Sequence, residues 1–151
     1  MLKTLLFCLI VFGLFVQHAI SEQYVFGGLG GVSCCSDLIT HLGYGAEGRI
    51  YKQFKLGGEI GYLTPVKAFG DGLGVFSFNG SYEFPKPKWS PFITGGYTLF
   101  FRESSASLFN FGGGVTYMNG RTGVRLEFRD HVYSDYGTEH WYGFRVALVF
   151  R

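Results

Sequence analysis

Seven residues, Gly123-Val124-Arg125-Leu126-Glu127-Phe128-Arg129, constrain this chain more than any others, because charged and large apolar side chains alternate in them without a break. Successive side chains on a strand point to opposite faces, so Arg125, Glu127 and Arg129 share one face and Val124, Leu126 and Phe128 the other. A face holding both signs of charge, backed by a wholly apolar face, suits a membrane-spanning barrel strand with a polar lumen and lipid outside.

Seven further stretches read as strands: residues 23–32, 41–51, 54–62, 74–84, 91–102, 108–117 and 141–150. From the second onward each puts one apolar, aromatic-rich set opposite a set of glycines, small polar residues and charges. In the first, Gly27, Gly28, Gly30 and Gly31 leave the faces unassigned. Strands of about ten residues match the length a tilted membrane strand needs. The connections after strands two, four and six are short. Those after one (Ser33-Cys34-Cys35-Ser36-Asp37), three and seven (residues 130–140) are longer and polar, as when turns face the periplasm and loops face outward. Asn119-Gly120 is a short-hairpin signal in which both residues tolerate positive φ.

Composition supports strands over helices. The chain has 24 Gly, 17 Phe and 10 Tyr in 151 residues, and glycine weakens helices while aromatics favour sheets. The formal charge of +2 is small and dispersed, which leaves no electrostatic footprint for nucleic acid. Gly27-Gly28-Leu29-Gly30-Gly31 is no phosphate loop, since nothing after it reads as a helix whose N-terminus would hold the phosphate.

The N-terminus is of another kind. Lys3, an apolar run over residues 5–16 and Ala19-Ile20-Ser21 before Glu22 have the order of a cleaved export signal. The run is shorter than the roughly 20 residues of a spanning helix. Two segments are therefore expected: a signal peptide over residues 1–21 and a barrel over 22–151. Cys8 falls within the discarded part.

Alternation alone does not say which face is the lumen, since a soluble lipocalin-like barrel puts its apolar side inward. Volume decides, because an eight-stranded barrel is only just wide enough for side chains to fill it. The aromatic set belongs outside, where it carries no charge. The other set places Glu47, Arg49, Lys55, Glu59, Glu83, Arg102, Arg125, Glu127, Arg129 and Arg145 inside as opposed charges that plug the lumen. Tyr51, Phe54, Phe84, Trp89 and Tyr117 at the turn end, and Tyr62, Phe76, Phe101, Phe109 and Tyr142 at the loop end, read as interfacial girdles.

Phe111-Gly112-Gly113-Gly114-Val115, Arg125-Leu126-Glu127-Phe128-Arg129-Asp130 and the closing alternation Tyr142, Phe144, Val146, Leu148, Phe150 resemble the small eight-stranded outer-membrane barrels of OmpA and OmpX type, and the broad outer membrane beta-barrel domain family. The resemblance spans the mature chain and specifies a fold rather than a chemistry. It implies an all-β, antiparallel, up-and-down transmembrane barrel, with outer-membrane lipid, lipopolysaccharide and the barrel-assembly machinery as partners. In that family the last strand usually ends on an aromatic; here Arg151 follows Phe150.

Little else reads as chemistry. Cys34 and Cys35 are adjacent in an exported chain, so a disulfide between them, a metal or an intermolecular bridge are open readings; no second pair completes a zinc site. The segment 130–140 carries His131, Ser134 and His140 among three carboxylates, in no spacing that places a nucleophile beside a base, and reads as a solvated loop. The expectation is a monomeric, non-enzymatic barrel of the bacterial outer membrane with a structural or surface-interaction role, no open pore, no cofactor and no metal. A barrel enzyme modifying lipopolysaccharide and a soluble periplasmic ligand-binding barrel are the alternatives.

Overall fold

The computed structural model describes residues 20–102, 105–134 and 138–151, without the side chains of Ile20, Ser21, Cys35 and Ser36. Eight strands alternate as the side-chain pattern requires: β1 (Ile20–Val32), β2 (Cys35–Tyr51), β3 (Phe54–Pro65), β4 (Leu73–Glu83), β5 (Trp89–Phe101), β6 (Ser105–Asn119), β7 (Thr122–Tyr133) and β8 (Glu139–Phe150). Each pairs antiparallel with its neighbour in sequence, and β1 closes on β8 from Gln23↔Phe150 to Val32↔Trp141, so the sheet is a barrel without free edges. The expected signal segment lies outside the described residues, apart from the backbone of Ile20 and Ser21 at the start of β1.

Several boundaries differ from expectation. Residues 33–37 are not a long connection, because β2 begins at Cys35 and Gly31 pairs with Leu38. The segment 130–140 is mostly strand: β7 continues to Tyr133, β8 starts at Glu139, and Val132 pairs with His140. Both extensions satisfy backbone groups that a loop would have left to water. The long-loop pattern after strands one and seven is thereby lost. At the β6–β7 turn only Gly120 takes positive φ (67°), while Asn119 stays in the strand opposite Thr122. Glycine at the first central position fits a two-residue hairpin turn of the primed kind.

The outer surface is a continuous apolar belt. Phe78, Tyr97, Phe111, Leu126, Phe144 and Val146 are among its exposed side chains. Aromatic rings meet at both ends of the belt, with Phe54 and Phe84 edge-on to Tyr82 at the turn end and Tyr97 tilted against Phe109 across β5–β6 towards the loops. The interior holds the charges, the inverse of a soluble ligand-binding barrel.

Volume did not keep every ring out. Tyr24, Phe26, Phe92 and Phe100 point inward and are buried. Tyr24 and Phe26 fit because their partners across the β1–β2 pair are Gly45 and Gly43, where a Cβ would overlap the rings.

Candidate functional site

The lumen is built in layers along the barrel axis. Nearest the turns, Glu22, Glu47 and Glu83 meet Lys55, Arg125 and Arg151. Lys55 Nζ lies 2.8 Å from Glu22 and 2.6 Å from Glu83. Arg125 donates to Glu47 at 2.5 Å and to Glu22 at 3.1 Å. Arg151 reaches back from the chain end to Glu22 at 2.8 Å through Nε. Three carboxylates against three cations leave no net charge to desolvate in this layer. The Arg125 guanidinium also stacks on the Tyr24 and Phe92 rings, at 4.6 and 4.8 Å.

One layer further in, Glu59 and Glu127 balance Arg129 and Arg145. Arg145 grips Glu59 with two parallel bonds of 3.0 Å and Glu127 at 2.9 Å. Arg129 Nε donates to Glu127 at 2.6 Å and its Nη1 to Asn110 Oδ1 at 2.7 Å. The Tyr24 hydroxyl donates to Glu59 at 2.7 Å. Asn110 then donates to Asn79 and Thr98, each at 2.9 Å, and Thr98 lies 3.1 Å from His131 Nδ1. The six charged and polar groups Glu59, Glu127, Arg129, Arg145, Tyr24 and Asn110 come from β1, β3, β6, β7 and β8 and share one network across the lumen.

Above this lies a pair of buried imidazoles, His41 and His131, with centroids 6.0 Å apart. They line a space of about 20 Å³, roughly that of one water molecule. The loop end is apolar: Val32, Ile39, Leu63, Val75, Phe100 and Leu108 form one buried cluster, with Trp141 and Tyr133 packed on it. Over this floor a cup of about 600 Å³ opens outward.

Eight of the ten charges expected inside, Glu47, Lys55, Glu59, Glu83, Arg125, Glu127, Arg129 and Arg145, are buried there. Arg49 and Arg102 are not. Arg49 stands half exposed at the turn-end mouth, 3.8 Å from Glu83, and Arg102 follows the end of β5 and pairs with Asp71 of the β3–β4 connection at 3.3 Å. Arg49 keeps the inward parity of β2 and pairs in register with Lys55, but at the mouth its long side chain reaches water, whereas Arg102 lies beyond the last residue of β5. Sequence reasoning missed Glu22, Tyr24 and Arg151; Glu22 and Tyr24 share the parity that faces inward on β1, a signal the glycines obscured.

The residues expected in a solvated last loop are divided by the wall. His131 is 2% exposed inside the barrel. Asp130 and His140 occupy the outward parity of β7 and β8, so one carboxylate does stand on the apolar face, between Phe111 and Tyr142 in register. His140 Nδ1 answers it at 2.7 Å, and the His140 N–H donates to Ser33 Oγ at 3.0 Å. Ser134 is exposed beyond the end of β7. Cys34 lies in the exposed β1–β2 turn, and a pairing with Cys35 involves a side chain outside the described residues. Among the described residues no group of three or more His, Cys, Asp or Glu is placed to hold a metal.

The closed eight-stranded fold is matched among solved structures. The N-terminal β-barrel domain of Pseudomonas aeruginosa OprF superposes with a TM-score of 0.62 at 14% identity, covering 87% of this chain and 99% of that one. The fold is that of the outer-membrane β-barrels. Neisserial surface protein A matches this barrel at 0.62 and 12% identity, over 85% of this chain and 94% of its own. The outer membrane enzyme PagL matches at 0.57 and 18% identity, over 82% and 97%. No protein-family model and no curated protein sequence matches the barrel.

Proposed function

We propose that this barrel resides in the bacterial outer membrane after export by its N-terminal signal, as a monomer with a structural or surface-interaction role and no catalytic one. The observation that carries this reading is the joining of an apolar outer belt to a lumen closed by two balanced charge layers. Such a wall needs lipid around it, and such a lumen resists ion flow because each charge is already held by a partner. Closure of β1 on β8 leaves no sheet edge to recruit a second subunit. Lipid, lipopolysaccharide and the assembly machinery are then its partners, and nucleic acid is not.

Membrane fractionation followed by gel migration with and without boiling tests the reading. Recovery in the outer membrane with heat-modifiable migration supports it. Recovery in the soluble periplasm overturns it. Reconstituted into liposomes, the protein should leave permeability to small sugars at background.

One observation favours a second reading, a hydrolase of outer-leaflet lipid. Asp130 orients His140 on the outward face, as a carboxylate orients a general base. The outer membrane enzyme PagL shares the fold. Lipid A isolated from cells expressing the wild type and His140→Gln discriminates: identical acylation patterns remove the enzyme reading.

A further inference from the structure

The apolar cup has no place in a purely structural barrel. Two polar layers and a histidine pair fill the lumen below it, yet the mouth is lined by Phe100, Leu108, Ala106, Tyr133 and Trp141. Its volume of about 600 Å³ falls in the range of small-molecule sites, and its floor is desolvated, with Val75 1% and Leu108 2% exposed. Water against such a floor finds no hydrogen-bond partner, whereas a hydrocarbon chain placed there removes apolar surface from water on both sides.

The rim says what the other end of the ligand carries. Arg102 lines the cup and is held by Asp71, through the carbonyl oxygen at 2.8 Å and the carboxylate at 3.3 Å. Both side chains are half exposed or more, so the pair is weak and open to exchange with an incoming carboxylate. Glu139 also lines the cup, and its carboxylate repels an anionic head placed beside it. The chain goes to the floor and the acid to Arg102.

We infer that the cup at the loop end binds a single-chain amphiphile with an anionic head, of the fatty-acid class, taken from the external medium. This inference rests on the proposed orientation, with the loop end outside. It gives the surface-interaction role a ligand.

The chain has two tryptophans, Trp141 in the cup and Trp89 on the outer belt at the turn end. Trp89→Phe therefore leaves Trp141 as sole reporter, and Trp141→Phe leaves Trp89 to report partitioning into lipid. Both variants, in lipid nanodiscs and with heat-modifiable migration verified, are titrated with dodecanoic acid brominated at its terminal carbon. The site predicts saturable quenching of Trp141 while Trp89 quenches only in proportion to membrane loading. In the Trp141 reporter background, Arg102→Gln should weaken the apparent affinity roughly tenfold, the value of a charge-assisted contact. Ala106→Phe should narrow the cup and weaken the saturable component. Quenching of Trp141 that stays linear and parallels Trp89 in a folded protein overturns the inference without touching the barrel reading. Equal affinity for the brominated alcohol, unaltered by Arg102→Gln, overturns the anionic head. Failure to insert at all would instead count against the proposed location.

Discussion

The Tyr24 ring lies on Gly45, its register partner across the β1–β2 pair, and its hydroxyl donates to Glu59 at 2.7 Å. A lumen with room for few rings admits this one because the opposite position has no side chain. Gly45→Val should expel Tyr24, release Glu59 and destabilise the barrel by about 1–3 kcal/mol, the usual cost of overpacking. Urea unfolding in lipid vesicles measures it, and an unchanged midpoint would contradict the packing described.

Arg125 holds Glu47 at 2.5 Å, whereas Lys55 stands 3.8 Å from that carboxylate. Glu22 keeps Lys55 and Arg151 if Arg125 is lost. Arg125→Met should therefore remove the nearer of these two cations from Glu47 and leave buried negative charge in excess in this layer, at a cost of about 3–5 kcal/mol. Adding Glu47→Gln should recover a large part of that loss. A double variant as unstable as the sum of its singles would show that the two are not coupled.

On the belt, Leu126 is 49% exposed, faces outward and pairs with Val115 and Val146. Leu126→Arg should cost about 2–4 kcal/mol of unfolding free energy in a bilayer if this position lies near the midplane. The same substitution measured in short-chain detergent, where the head reaches water easily, should cost less.

Asp130 is almost wholly covered on the outward face, and His140 is its partner. His140→Phe should destabilise by about 1–3 kcal/mol, because it leaves a buried acceptor unpaired. Asp130→Leu combined with His140→Phe should restore most of the stability. If the single and double variants unfold at the same urea concentration, the pair contributes no more than its packing.

Much of this was legible in the residues alone. The alternation in 123–129 determined strand and faces, since a period of two fixes which side chains share a face, and the narrow bore of eight strands assigned the charged face to the lumen, where eight of the ten expected charges are buried. Strand number and the closed barrel followed from repetition of that pattern. Tertiary structure decided what local pattern does not encode. Whether β2 starts at Cys35 or β7 runs to Tyr133 depends on a neighbouring strand offering hydrogen bonds, which moved Asp130 onto the outer face and His131 into the lumen. Which ring enters depends on a glycine on another strand, as with Tyr24 and Gly45. The pairing of Glu22 with Arg151, from opposite ends of the barrel chain, exists only because β1 closes on β8. Composition and alternation are properties of one strand, whereas ion partners, ring pockets and the apolar cup are properties of closure, when side chains far apart in sequence meet across one narrow lumen.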